Sequence, residues 1–147
     1  MIRTNSENPD FVSLVKELDA YLKIVDGDDH DFYNQFNHID VLKHTVVFYK
    51  EGIPIGCGAI KPFGTDSMEV KRMYVKPAYR GIGIAQQILE NLESWTQELG
   101  HKFTILETGK RQFDAVRFYK KCNYRIIPNY GQYQGVENSV CFKKELG

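Results

Sequence analysis

The stretch from Ser67 to Thr108 constrains the fold more than any other, because its periodicity changes twice. "SMEVKRMYV" (Ser67 to Val75) has the composition of a strand. It runs through Lys76-Pro77 into the glycine-bearing "RGIGIA" (Arg80 to Ala85). Ile84, Ile88, Leu92, Trp95 and Leu99 then recur at helical spacing, thickened by Ala85 and Leu89, until Gly100 stops the run. "KFTILET" (Lys102 to Thr108) returns to strand composition. Strand, helix and strand in this order form a crossover unit, which implies that the two strands are parallel neighbours.

The remaining segments fit around that unit. Asn8-Pro9 is a cap residue followed by proline at a first helical position, and Phe11, Leu14, Val15, Leu18 and Leu22 predict an amphipathic helix from Pro9 to about Ile24. The acidic, aromatic Asp26 to Phe36 predicts a loop leading into a short second helix. "HTVVFYK" (His44 to Lys50) and "PIGCGAIK" (Pro54 to Lys61) flank the Glu51-Gly52 turn and form an antiparallel meander with Ser67 to Val75. Gly56 and Gly58 predict a bulge or the close approach of another backbone. After the crossover come a helix from about Gln112 to Cys122, a left-handed stop at Asn123, and two strands in "YRII" and "NSVCFKKEL". The class is α+β: a mixed sheet with helices on its faces, in a single domain over residues 1–147.

Composition narrows the partners. Lysine plus arginine equals aspartate plus glutamate at 19 each, so no global field recruits nucleic acid or an anionic membrane. Three cysteines without a C-x-x-C pair, no run of 18 apolar residues and no secretory h-region predict a reduced, soluble, cytoplasmic protein. No metal is expected. His30, His38, His44 and His101 lack ligand spacing, and the aspartates from Asp26 to Asp31 have Gly27 misplaced and Asn37 where a calcium loop needs glutamate.

The glycine motif is not a dinucleotide fingerprint, because Gln86 stands in place of the third glycine, and no P-loop is present. What remains, Arg80-x-x-Gly83-x-Ala85 at the start of a helix, is either a tight turn or an anion cradle. In a cradle, first-turn amides and the helix dipole face a phosphate that small residues allow to approach. Arg80 would supplement the amides.

In context the sequence resembles the GCN5-related N-acetyltransferase (GNAT) superfamily, whose motif [QR]-x-x-G-x-[GA] lies between a strand and a long helix. The likeness covers nearly the whole chain and includes "AVRFYKKCNY" (Ala115 to Tyr124), similar to the family's A-x-x-[FL]-Y-x-K-x-G-[FY]. Asn123 replaces the usual glycine there, a mild departure because asparagine tolerates the left-handed conformation.

The resemblance implies the acyl-CoA acyltransferase fold and transfer of acetyl from acetyl-CoA to a primary amine of a small molecule, by direct attack in a ternary complex. A protein or peptide acceptor is the alternative among enzymes; a non-catalytic acyl-CoA sensor is the alternative outside them, and the retained Tyr119 speaks against it. In this family the strand before the motif splays from its parallel neighbour, so Met73, Tyr74 and Val75 would meet the pantetheine through the main chain. Arg80, Gly81, Ile82, Gly83, Ile84 and Ala85 would wrap the pyrophosphate. Tyr119 would protonate the departing thiolate; an ordinary aromatic pair with Phe118 is the other account of it. Glu69 would accept the amine's proton through water, or is an exposed strand glutamate paired with Lys71 or Lys61. Tyr33, Phe36, Tyr130 and Tyr133 would wall the acceptor pocket, where nearby aspartates favour a cationic acceptor. Lys110, Arg111, Lys120 and Lys121 fit the 3′-phosphate of CoA and an exposed helix face equally. Members of the family often form homodimers.

Overall fold

The computed structural model describes residues 1–26 and 41–147, so the expected loop with Tyr33 and Phe36, and the short helix it leads into, lie outside the described residues. Strand β1 (Ile2–Thr4) leads to helix α1 (Pro9–Asp26), then the meander β2 (His44–Lys50), β3 (Ile53–Phe63) and β4 (Ser67–Val75). The crossover helix α2 (Ile84–Glu98) connects to β5 (Phe103–Gly109), followed by α3 (Phe113–Lys121), β6 (Arg125–Ile127) and β7 (Ser139–Glu145). One seven-stranded sheet results, in the order β1-β2-β3-β4-β5-β7-β6. Among the described strands, only β4 and β5 pair in parallel.

Local chemistry sets the element ends. The Asn8 side-chain oxygen accepts from the amides of Asp10 (2.9 Å) and Phe11 (3.1 Å), which satisfies two of the orphan donors of α1. Glu51 and Gly52 both have positive φ, as a two-residue hairpin turn demands. Asn123 closes α3 in the left-handed region at φ 73°, as its sequence position predicts.

The sheet separates two apolar clusters. Phe11, Leu14, Val15 and Leu18 of α1 pack with Leu42, Val47, Cys57, Ala59 and Tyr74 on one face. Ile84, Ile88, Leu89 and Leu92 of α2 pack with Ile55, Met68, Val70, Leu106, Tyr119 and Phe142 on the other. Leu99 departs from the predicted stripe: it is the C-cap of α2 and stays 40% exposed, where the helix has run past the edge of the sheet.

Two irregularities position the site. The parallel ladder holds only three residue pairs, Ser67↔Phe103, Met68↔Thr104 and Glu69↔Ile105, although both strands continue beyond it. From Val70 to Val75, therefore, β4 has no strand partner on its β5 side among the described residues. On its other side the register slips between Cys57↔Tyr74 and Ala59↔Lys71, so that Gly58 alone faces Arg72 and Met73. This is a β-bulge, with Arg72 at φ 59°. Gly58 makes room for it, since an added Cβ would stand 2.6 Å from the Met73 sulfur and 2.9 Å from Leu92. The bulge breaks the alternation along β4: Arg72 reaches Asp19 of α1, while Met73 packs toward α2.

Candidate active site

The fork between β4 and β5 opens a cavity whose walls are Val70 to Met73 on one strand and Glu107 to Gly109 on the other. Gln112, Ala115 and Tyr119 line it from the α3 side, and Leu18, Leu22 and Tyr133 from the α1 side. Groups from both faces of the sheet thus meet in one space, which an unbroken ladder would have kept apart.

A second cavity lies at the start of α2, lined by Val75, Tyr79, Arg80, Gly81, Gly83, Ile84, Ala85 and Gln86, with Phe118, Lys121 and Cys122 from α3. Gly81 (φ 81°) and Gly83 (φ 87°) are left-handed, and a Cβ on either would meet nothing within 4 Å. Backbone conformation, not crowding, therefore requires glycine at both. The first main-chain bond of the helix runs from the Gln87 amide to the Gly83 carbonyl at 3.1 Å, and Gly83 offers no side-chain cap. The amides of Ile84, Ala85 and Gln86 accordingly have no acceptor among the described residues. Orphan amides, open space beside the glycines and the cations Arg80 and Lys121 fit a phosphate group.

Arg80 has a further task. Its Nε donates to the Val75 carbonyl at 2.8 Å, and its guanidinium lies 5.5 Å from the Tyr74 ring centroid. It ties the cradle to the end of β4 as well as adding charge. Ile82 points outward at 59% exposure and lines neither cavity. Tyr74 lines neither as well: its main chain is in register with Cys57, and its ring packs toward α1 with the hydroxyl 3.3 Å from Glu17. Met73 lines the fork and Val75 the cradle.

Tyr119 forms the aromatic pair weighed for it and also lines the fork. Its ring packs edge-to-face on Phe118 (5.1 Å between centroids) and against Tyr124 and Phe142. Its hydroxyl has no hydrogen-bond partner among the described residues, and it lines the fork. Burial pushes the phenol pKa well above its ordinary value, with a smaller push from Cys122. The group stays protonated through neutral pH.

Glu69 is not the exposed strand residue that one account of it foresaw: it is 6% exposed. The Tyr130 hydroxyl donates to its Oε2 at 2.6 Å, and the Lys71 ammonium lies 3.7 Å from its Oε1. Tyr130 therefore anchors Glu69 and does not line the cavity itself, whereas Tyr133 does. Burial, then Glu69, raises the Tyr130 pKa; burial, then Glu107 and Glu69, raises that of Tyr133.

Three charged groups of the fork escaped the sequence. Glu107 accepts from the Ser139 hydroxyl at 2.6 Å, Arg72 pairs with Asp19 at 2.8 Å, and Lys71 is nearly enclosed. Burial lowers the Lys71 pKa, with Glu69 opposing that shift. Period-two spacing from Glu69 was the available signal for Lys71; nothing local placed Glu107 opposite it. Among the described residues, no group of three or more His, Cys, Asp or Glu is arranged to hold a metal, and no helix is long and apolar enough to cross a membrane.

The sequence pattern of the acetyltransferase (GNAT) family matches residues 11–124. The chain belongs to this family. An Azospirillum brasilense protein named IAA acetyltransferase is 32% identical to this GNAT chain over 144 residues, which span 92% of the chain and 90% of that protein. The crystal structure of an acyl-CoA N-acyltransferase from Klebsiella pneumoniae superposes with a TM-score of 0.82 at 26% identity, covering 99% of this chain and 97% of that one. A GNAT family acetyltransferase from Elizabethkingia anophelis, solved with acetyl-CoA bound, shares the fold at a TM-score of 0.62 and 16% identity, over 85% of this chain and 88% of its own. This GNAT chain is an N-acetyltransferase.

Proposed function

We propose that the chain transfers the acetyl group of acetyl-CoA to a primary amine of a small molecule, by direct attack while both substrates are bound. The observation that carries this reading is the fork after Glu69↔Ile105, where Tyr119 from one face and charged groups from the other line one cavity. Acetyl-CoA, when bound, supplies the activated thioester.

The residues of the chain supply everything else. The amides of Ile84, Ala85 and Gln86, with Gly81, Gly83 and Arg80, hold the pyrophosphate. The unpaired edge of β4 from Val70 to Val75 receives an extended pantetheine as a sheet edge receives a strand. The Val75 carbonyl already accepts from Arg80, so Met73 and the Val75 amide carry that role. A main-chain N–H at the bulge is suited to hold negative charge developing on a carbonyl oxygen. Tyr119, kept protonated by burial, donates to a departing thiolate. On the α1 side, Glu69 and Glu107 put negative charge where a cationic amine would enter, beside Tyr133, Leu18 and Leu22.

The test is thiol release from acetyl-CoA across a panel of primary amines, with acetyl-CoA binding followed in parallel by calorimetry. At least one amine is expected to accelerate release by orders of magnitude over the amine-free rate. Binding without acceleration by any amine would leave a sensor module instead. Acceleration by lysine-bearing peptides alone would move the acceptor to protein.

A further inference from the structure

Glu69 stands where the resemblance expects a proton-accepting carboxylate, yet both of its oxygens are engaged, one by Tyr130 at 2.6 Å and one facing Lys71 at 3.7 Å. It is also the last residue of β4 still in register with β5, at the closed end of the fork. Lys71 lies two residues further along the same face, beyond the last pair, and lines the cavity that Tyr119 reaches from the opposite side. Its side chain is only 9% exposed. We propose that Lys71, with Glu69 as its counter-ion, takes the proton that the acceptor nitrogen loses during acetyl transfer, and that Glu69 and Tyr130 are positioning residues. The inference rests on the acetyl-transfer reading above.

The proton balance closes with these groups. The nitrogen lone pair forms the N–C bond and the C–S bond breaks with its electron pair leaving on sulfur. Neutral Lys71 accepts the proton shed by the nitrogen, and the thiolate takes the phenolic proton of Tyr119. Solvent then removes the proton from Lys71 and restores one to Tyr119. A lysine suits this work better than a carboxylate because its proton affinity, about 10.4 in pKa before burial lowers it, is nearer to that of an amine than the carboxylate value of about 4.3.

The surroundings weaken the hold of Lys71 on its proton. Burial is the largest influence and lowers its pKa; Lys61 of β3 and the adjacent Arg72 lower it further, and Glu69 and Glu107 raise it. Arg72 is itself paired with Asp19 of α1, and Glu17 of α1 faces Lys76. Leu18 and Leu22 from α1, and Gln112 and Ala115 beside α3, line the cavity without charge. Tyr119, Tyr130 and Tyr133 remain protonated across the working range because burial raises all three.

The decisive measurement is kcat against pH, from about pH 6 to about pH 10 to bracket a lowered lysine, with the best amine of the panel. Wild type is compared with Lys71→Met, Lys71→Arg and Glu69→Gln. Lys71→Met is expected to lose about 100-fold in kcat while its calorimetric affinity for acetyl-CoA is unchanged. Lys71→Arg should not restore the rate, since guanidinium never gives up its proton. Glu69→Gln should move the rising limb to lower pH, because removing a nearby carboxylate disfavours the ammonium form. The inference is overturned if Glu69→Gln loses the 100-fold and Lys71→Met keeps its limb, which would make Glu69 the base. Stable acetylation of Lys71 in the intact mass of wild type incubated with acetyl-CoA would also overturn it, by making this lysine a nucleophile. Failure of the acetyl-transfer reading looks different: no amine then accelerates wild type, and no variant has a rate to lose.

Discussion

Tyr119 holds its hydroxyl on a ring that Phe118, Tyr124 and Phe142 surround, and that hydroxyl has no partner among the described residues. That hydroxyl is not among the buried atoms left without a partner, because Tyr119 lines the cavity of the fork. The proposed proton donor therefore stands where a ligand in the fork would meet it. Tyr119→Phe removes the oxygen and keeps the ring, so no hydrogen bond is lost and the melting temperature should stay where it was. The expected kinetic result is a fall in kcat of about 100-fold, with the KM for acetyl-CoA nearly unchanged, because the interaction is made only as the thiolate leaves. Steady-state kinetics beside a thermal melt separates the cases: a change confined to KM, or a lower melting temperature, would mean that the tyrosine serves packing.

The first turn of α2 is the element on which the proposed binding of acetyl-CoA depends, and its two requirements can be separated by substitution. Gly83 at φ 87° puts any L-residue in the left-handed region, which costs about 1–2 kcal/mol. A Cβ there meets nothing within 4 Å, so conformation is the whole penalty. Gly83→Ala and Gly83→Glu should therefore lose similar stability in urea unfolding, but only the glutamate, by placing negative charge at the orphan amides, should abolish acetyl-CoA binding in calorimetry. Equal affinity of the two variants would remove the cradle. This element was legible in the sequence because glycine, alanine and a 3.6-residue stripe are local signals. The caps at Asn8 and Asn123 were legible for the same reason, as was the close approach at Gly58, where only the absence of a side chain marked the crowding by Met73 and Leu92. The pairing of Glu69 with Tyr130, and the placing of Glu107 near Lys71, were not. They depend on a ladder that stops after three pairs and on a loop that returns from sixty residues downstream, and neither leaves a local pattern. The bulge hid Arg72 as well, because one extra residue breaks the alternation by which a strand's faces are read.

At the scale of the molecule, packing around one sheet raises the pKa of several groups that ionise only at high pH. Tyr119, Tyr124, Tyr130 and Tyr133 all have pKa values raised above 10.0, with burial as the first cause in each. Burial likewise pushes the Cys57 thiol from 9.0 up to about 12 and Cys141 up to about 11. Each of these groups holds its proton longer in the folded chain than in the unfolded one. Their contribution to stability is thus complete below the unfolded pKa and is lost as pH rises toward the folded value. The loss should begin near pH 9, where the unfolded thiols ionise, and steepen above pH 10, where the unfolded phenols follow. Cys57 alone contributes on the order of 4 kcal/mol to the fall. The melting temperature by circular dichroism should decline steadily through this window. Phenolate absorbance from these four tyrosines should then rise in step with the loss of ellipticity, because burial is the first cause of each raised value. Gradual ionisation of all the tyrosines with helicity retained would contradict the burial on which the account of Tyr119 and Tyr130 depends.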